Sequence, residues 1–284
     1  MEPLFEHRRR FAGYETRVLE LEGSGPPLVL MHGWSDSADT WRHALAELGR
    51  RERRAIAVDL PGFGAADPLR PGPVLQQYDR FGSELLAYAR EEGGEPVVVG
   101  NSLGGCVALR LAEREPLEGV VAVAPAGLDM AGWLALVERD PAIRRLLALP
   151  LPVPGRAVRE VVARVYVALA FARPDRVDPR VARAFASHHG SREAVASYLD
   201  IGHRLLPELR DPFELEDVRA PVLLVWGTED RLVFRTGAER VLATVPGSRL
   251  EVFDGCGHCP QIEEADRFAE LLIGFAEAGA RSAA

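Results

Sequence analysis

Lysine is missing from this chain. All 34 basic residues are arginine, which reads most simply as a compositional bias of its source. Acidic residues number 42, and the resulting net charge of −8 argues against nucleic acid as a partner. Cysteine is scarce as well. Three residues, an odd number, do not make a disulfide framework. Cys256 and Cys259 bracket His258 as Cys-Gly-His-Cys, but no second pair stands at the spacing a tetrahedral site requires, so no metal is expected. Long apolar runs are also lacking. The most apolar stretch, Val161 to Phe171, is interrupted by Arg164 and is too short to span a bilayer. Met1-Glu2-Pro3 begins acidic and no apolar run follows Arg8-Arg9-Arg10, a run that reads as surface. No signal peptide is therefore expected, and the cytoplasm is the default location. Repeats and low-complexity tracts are absent, apart from a small-residue tail from Ala278 to Ala284.

A chain of 284 residues with 47% hydrophobic content has ample material for a buried sheet. Apolar runs at Leu28–Met31, Ala55–Asp59, Pro96–Gly100 and Val120–Ala124 alternate with helical segments, which predicts a parallel sheet with helices on both faces. Tyr14 to Glu22 alternates in polarity and reads as an antiparallel edge strand. The sheet pattern resumes at Pro221. Between these parts, residues 127–213 give no strand signal and read as an inserted helical cap, leaving 1–126 and 214–284 as the core. Four helices are expected there: Trp133–Leu149, Arg156–Ala172, Pro179–His188 and Glu193–Leu206, with the joint Pro150-Leu151-Pro152-Val153-Pro154 among them. A cap so placed covers the strand ends, where open α/β sheets bind ligands. Val161 to Phe171 is then the cap's own packing core or the apolar wall of a pocket.

The chemistry concentrates where Pro96-Val97-Val98-Val99 runs into Gly100-Asn101-Ser102-Leu103-Gly104-Gly105. This is a Gly-x-Ser-x-Gly pattern between a β-branched run and a helix. Such a turn projects the Ser102 hydroxyl and presents the next backbone N–H to an oxyanion. Gly100 and Gly104 are needed because a Cβ at either position would strike neighbouring backbone. Further along, the buried strand Pro221–Gly227 delivers Glu229 and Asp230 to the rim of the sheet. Arg249–Phe253 leads into Asp254-Gly255-Cys256-Gly257-His258, whose glycines let a loop carry His258 back over the strand ends. Asp230 as a turn residue and His258 as a satisfied loop histidine are the bland alternatives. Their order and strand-end positions favour catalysis.

With these pieces in place the sequence resembles the α/β-hydrolase superfamily over nearly its whole length. The resemblance implies an α/β-hydrolase fold, with Ser102 as nucleophile, His258 as general base and Asp230, not Glu229 or Asp254, as the orienting acid. His32-Gly33 after Leu28–Met31 resembles the family's H-G loop, which makes the backbone N–H groups of Trp34 and Leu103 the oxyanion donors. Asp59-Leu60-Pro61-Gly62-Phe63-Gly64 resembles the loop after the following strand, where Asp59 organises the chain. Gly257-His258-Cys259-Pro260, with Glu263, resembles the opening of the last helix. One departure is Gly64-Ala65-Ala66-Asp67, where many relatives carry a small polar residue.

The resemblance implies a serine hydrolase acting on a small-molecule carboxylic ester, without a cofactor. Serine at the elbow argues against haloalkane dehalogenases and soluble epoxide hydrolases, which place aspartate there. The absence of lysine argues against plant-type hydroxynitrile lyases. The nearest competitor is C–C hydrolysis of ring-cleavage products, whose members carry a Gly- and Pro-rich loop where this chain has Trp34-Ser35-Asp36-Ser37-Ala38-Asp39. Cofactor-free haloperoxidases, acyl-carrier esterases and ligand-binding receptors share the fold. Residues 129–212 hold 13 Arg against 10 acidic residues, so this segment carries +3 and the remainder −11. That asymmetry is either a solvated arginine face or a surface for an anionic substrate or an acidic acyl carrier.

Overall fold

The computed structural model describes residues 4–91, 93–132, 155–176, 185 and 192–282. Eight strands form one sheet: β1 (Phe5–Phe11), β2 (Tyr14–Leu21), β3 (Ser24–Met31), β4 (Arg53–Val58), β5 (Val97–Asn101), β6 (Gly119–Val123), β8 (Val222–Gly227) and β10 (Arg249–Phe253). Their spatial order is β1-β2-β4-β3-β5-β6-β8-β10. From β4 to β10 every neighbouring pair is parallel, while β1 and β2 are antiparallel additions. Two further two-residue strands, β7 (Asp129–Met130) and β9 (Val233–Phe234), pair with each other.

The continuous apolar runs are explained by burial on both faces. Val29, Met31, Val98, Val120, Leu224 and Trp226 point into one core layer, and Leu28, Leu30, Val97, Val99, Val121, Leu223 and Val225 into the other. Helices α2 (Val74–Arg90) and α3 (Leu103–Ala112) cover the first face. The buried side of α2, Leu75, Tyr78, Phe81, Leu85 and Ala89, recurs every three or four residues, as helical periodicity requires. On the opposite face lie α1 (Arg42–Arg50) and the long final helix Ala265–Ser282. Trp41 stacks on Phe268 there, and Phe268 meets Phe253, the last residue of β10. Each such aromatic pair adds about 0.5–1.5 kcal/mol beyond its buried area, and this pair fixes the point at which the His258 loop departs.

The expected strands coincide with observed ones, with two corrections: the unexpected strand β7 lies inside residues 127–213, read as wholly helical, and pairs with β9; and the antiparallel strand is not at the edge. Tyr14–Leu21 is the penultimate strand, because Phe5–Phe11 pairs outside it. The edge strand is exposed along most of its length, so no alternation marks it in the sequence. A seven-residue backbone ladder to β2 holds it, Phe11 packs edge-on against Phe81 at its end, and Arg8 and Arg10 to Glu15, His7 to Glu20 and Arg9 over the Tyr88 ring add charged contacts. A charged edge of this kind also deters pairing with other chains.

Between β7 and β8 every described element is helical, chiefly α4 (Gly155–Ala170) and α5 (Arg192–Glu208). These answer to Arg156–Ala172 and Glu193–Leu206, whereas Trp133–Leu149, the Pro150–Pro154 joint and, except for Phe185, Pro179–His188 lie outside the described residues. The end of α5 is fastened to the sheet domain. The Glu208 carboxylate accepts the Val74 and Leu75 N–H groups, both at 2.8 Å, filling first-turn donors that have no intrahelical partner. Arg204 donates to the carbonyls of Arg70 and Gly72. After β9 come α6 (Ala238–Thr244) and the short helix α7 (Pro260–Glu263), which precedes the final helix, α8. Among the described residues no helix is long and apolar enough to cross a membrane.

Candidate active site

Ser102 stands alone between β5 and α3, at φ 53° and ψ −111°. A non-glycine residue in this region costs about 1–3 kcal/mol, and the surroundings must enforce it. Its N–H donates to the Val123 carbonyl at 2.8 Å, and its own carbonyl accepts from Cys106 and Ala126 at 2.9 and 3.0 Å. The two flanking glycines make the turn feasible. A Cβ on Gly100 would lie 2.1 Å from the Gly104 carbonyl oxygen, and one on Gly104 would lie 2.1 Å from that of Met31. The Ser102 side chain makes no capping bond to the helix it precedes. Leu103, the first residue of α3, has an N–H that the helix itself cannot satisfy.

The His32-Gly33-Trp34 loop lies against this elbow. A Cβ on Gly33 would come within 3.1 Å of Asn101 Oδ1 and 3.4 Å of Ser102 Cβ. His32 is fully buried, with Nε2 accepting the Leu60 N–H at 2.8 Å, so Nδ1 carries the proton and donates to the Gly33 carbonyl at 2.7 Å. The His32 carbonyl in turn accepts the Gly104 N–H. Trp34 is 42% exposed, and its ring faces Gly202 of α5. Asp59 organises the neighbouring loop as expected: it accepts from the Ala38 and Ala65 N–H groups and from Arg17, which also pairs with Asp39.

His258 and Asp230 meet at the ends of β10 and β8. His258 Nδ1 lies 2.7 Å from Asp230 Oδ2, with both side chains almost wholly buried. The second Asp230 oxygen accepts the Leu232 and Val233 N–H groups, which fixes the carboxylate plane. A carboxylate can only accept, so Nδ1 holds the proton and the Nε2 lone pair is left free to act as a base. Glu229 and Asp254, the competing acids, are both exposed.

The structure gives contacts to three residues that the sequence left without a role. Asn101 donates through Nδ2 to the His258 carbonyl at 3.0 Å, tying the elbow to the imidazole loop. Glu263 accepts the Gly257 N–H at 2.6 Å and the Ala172 N–H at 3.0 Å; burial pushes its carboxyl upward against these bonds. Asp36, two residues after Trp34, is pushed up to about 7 by burial, despite a 2.8 Å hydrogen bond from the Ser37 N–H. All three cysteines are free and buried, and burial raises their thiols, that of Cys256 to about 12. None of them is a thiolate near neutral pH.

The parallel sheet, the elbow at its centre and the buried His–Asp pair at its rim define an α/β enzyme of the hydrolase class. Residues 28–271 match the model of the alpha/beta hydrolase family, and the chain belongs to that family. Among curated proteins it is 32% identical to the pimeloyl-[acyl-carrier protein] methyl ester esterase of Aromatoleum aromaticum, over 87% of this chain and 96% of that one. It is 30% identical to the 2-hydroxymuconate semialdehyde hydrolase of Pseudomonas putida, over 95% and 93%. Among solved structures, the 2-hydroxy-6-oxo-6-phenylhexa-2,4-dienoate hydrolase of Rhodococcus sp. strain RHA1 superposes with a TM-score of 0.77 at 22% identity, covering 97% of this chain and 99% of that one. A putative lipase of Acinetobacter baumannii AYE gives 0.77 at 18% identity, covering 98% and 93%. At these identities the structural likeness establishes the fold alone.

Proposed function

We propose that this protein is a serine hydrolase that cleaves a carboxylic ester through an acyl-enzyme. The observation that carries the reading is the 2.7 Å bond from His258 Nδ1 to Asp230 on the same rim as a serine held at φ 53°. A serine hydroxyl is too weakly acidic to ionise at neutral pH, so its attack requires a base. His258 Nε2 takes the Ser102 proton as Oγ bonds to the acyl carbon. Negative charge then collects on the former carbonyl oxygen, opposite the N–H groups of Leu103 and Trp34. His32 supports the second donor: by holding the Gly33 carbonyl it directs the Trp34 N–H of the same trans peptide the opposite way. Donors preorganised in this way contribute roughly 3–4 kcal/mol each to the transition state. The imidazolium, steadied by Asp230, returns its proton to the departing alkoxide. Water then repeats the sequence and releases the acid.

The segment read as an inserted cap, residues 127–213, acts in this reading as a lid, and the arginine excess over 129–212 suits an anionic or acyl-carrier-bound ester. Likeness to an acyl-carrier ester hydrolase supports that extension. The similarity to the Pseudomonas putida enzyme, over nearly the whole of both chains, favours one second reading, C–C hydrolysis of a vinylogous diketone by the same serine.

Pre-steady-state hydrolysis of p-nitrophenyl esters from acetate to palmitate tests the proposal. The expected result is a burst equal to the enzyme concentration that Ser102→Ala abolishes, with the best chain length sizing the pocket. Turnover of vinylogous diketones without any ester hydrolysis would overturn the ester reading in favour of the second.

A further inference from the structure

The lid helix α4 ends on the loop that carries the imidazole. The His258 backbone N–H donates to the Ala170 carbonyl at 2.7 Å, so the proposed base and the last residue of α4 share a hydrogen bond. Gly257 permits this approach, since a Cβ there would lie 2.6 Å from the Ala170 oxygen and 2.8 Å from the Ala172 nitrogen. One carboxylate spans the junction: Glu263 Oε1 accepts the Gly257 N–H and Oε2 the Ala172 N–H, and the Arg173 N–H converges on the same group. Next to it, Arg173 pairs with Glu264. The acid's loop is joined to the helical segment as well. Arg231 donates to the Ala168 carbonyl at 3.0 Å, and the Ala131 N–H donates to the Leu232 carbonyl at 2.9 Å.

The geometry points to Glu263 as a positioning residue that clamps the His258 loop to the end of α4, so that imidazole alignment depends on lid docking. The inference rests on the reading of His258 as the general base. Glu263 touches neither substrate nor the reacting atoms and acts through the backbone of Gly257. Charge makes the clamp effective, because hydrogen bonds to an ionised acceptor are about twice as strong as neutral ones. In Glu263→Gln one acceptor oxygen remains, and the new amide NH2 confronts the other N–H donors. Misplacement of a reacting group by about 1 Å is enough to lower a rate by about 100-fold.

The experiment compares wild type, Glu263→Gln, Glu263→Asp and Gly257→Ala, the last forcing the lid and the loop apart with Glu263 intact. For each, p-nitrophenyl ester kinetics are expressed per site titrated by a fluorophosphonate, and the downfield proton on His258 Nδ1 is followed by NMR. Glu263→Gln and Gly257→Ala are expected to lose about 10- to 100-fold in kcat per titrated site with little change in KM. Their His258 proton signal should shift or broaden, and Glu263→Asp should recover part of the rate. A merely structural Glu263 would lower the melting temperature while leaving kcat per titrated site and the proton signal unchanged, and that result overturns the inference. The proton signal is read without turnover. A wild type that neither reacts with the fluorophosphonate nor hydrolyses ester, yet whose His258 signal still responds to Glu263→Gln, would sink the serine-hydrolase reading while upholding the clamp.

Discussion

His32 and His258 are both buried histidines at the strand ends, and they differ in what is left over. His32 uses both ring nitrogens on backbone, one on the Leu60 N–H and one on the Gly33 carbonyl. His258 uses Nδ1 on Asp230, which leaves Nε2 for the proposed proton transfer. The two nearby aspartates divide in the same way. Asp59 is saturated by two backbone N–H groups and the Arg17 guanidinium, whereas Asp230 gives one oxygen to its turn and the other to an imidazole. Saturation by fixed partners marks a residue that builds the site. A lone pair or proton kept in reserve marks one that works in it.

The largest effects should come from breaking the second member of each pair. His258→Ala and Ser102→Ala are expected to lower kcat by about 10^4-fold or more, and Asp230→Asn by about 10^4-fold through the wrong tautomer. Thermal melts of all three should stay near wild type. Asp59→Asn should do the reverse. Arg17 keeps Asp39, so the loss is that of the charged acceptor for Arg17 and two backbone N–H groups, about 1–3 kcal/mol, measurable by urea unfolding, with activity per folded molecule largely kept. His32→Phe falls between. It leaves the Leu60 N–H without its partner, for about 1–3 kcal/mol, and the Gly33 carbonyl with only the Asp36 N–H, which loosens the Trp34 peptide, so melting temperature and kcat should drop together.

A pH test sharpens the same contrast. Burial raises Asp36 from 3.8 to about 7, so its protonated form is favoured by folding. Its contribution to stability is therefore complete below about pH 4 and is lost as pH rises through about 7. Asp36→Asn should remove a decline in stability on the order of a few kcal/mol between about pH 4 and 7, read as melting temperature across that range. An unchanged pH slope would mean that Asp36 is not held protonated. The smallest effects belong to Glu229→Gln and Asp254→Asn, whose exposed side chains should leave kcat/KM within about twofold of wild type.

What was readable in advance follows from range. The elbow is local: a β-branched strand, two glycines whose Cβ atoms would meet backbone at 2.1 Å, and a helix of good formers are all consecutive residues. The parallel strands were readable because burial on both faces leaves an uninterrupted apolar run. Phe5–Phe11 escaped because a strand exposed on both sides for most of its length carries no period, and the backbone ladder that pairs it with Tyr14–Leu21 leaves no mark in residue type. The clamp at Glu263 joins residues far apart in the chain, with no spacing to announce it.

The sequence by itself determined the fold class, the strained serine and the order of the chemical groups, because each is written in neighbouring residues whose sterics and burial act locally. Tertiary structure alone decided that the second Asp230 oxygen is spent on its own turn, why His32 has no nitrogen to spare, and that a helix of the inserted segment ends on the imidazole loop. Those are questions of which donor meets which acceptor across the fold, and hydrogen bonds at 2.6–3.0 Å are set by packing rather than by sequence distance.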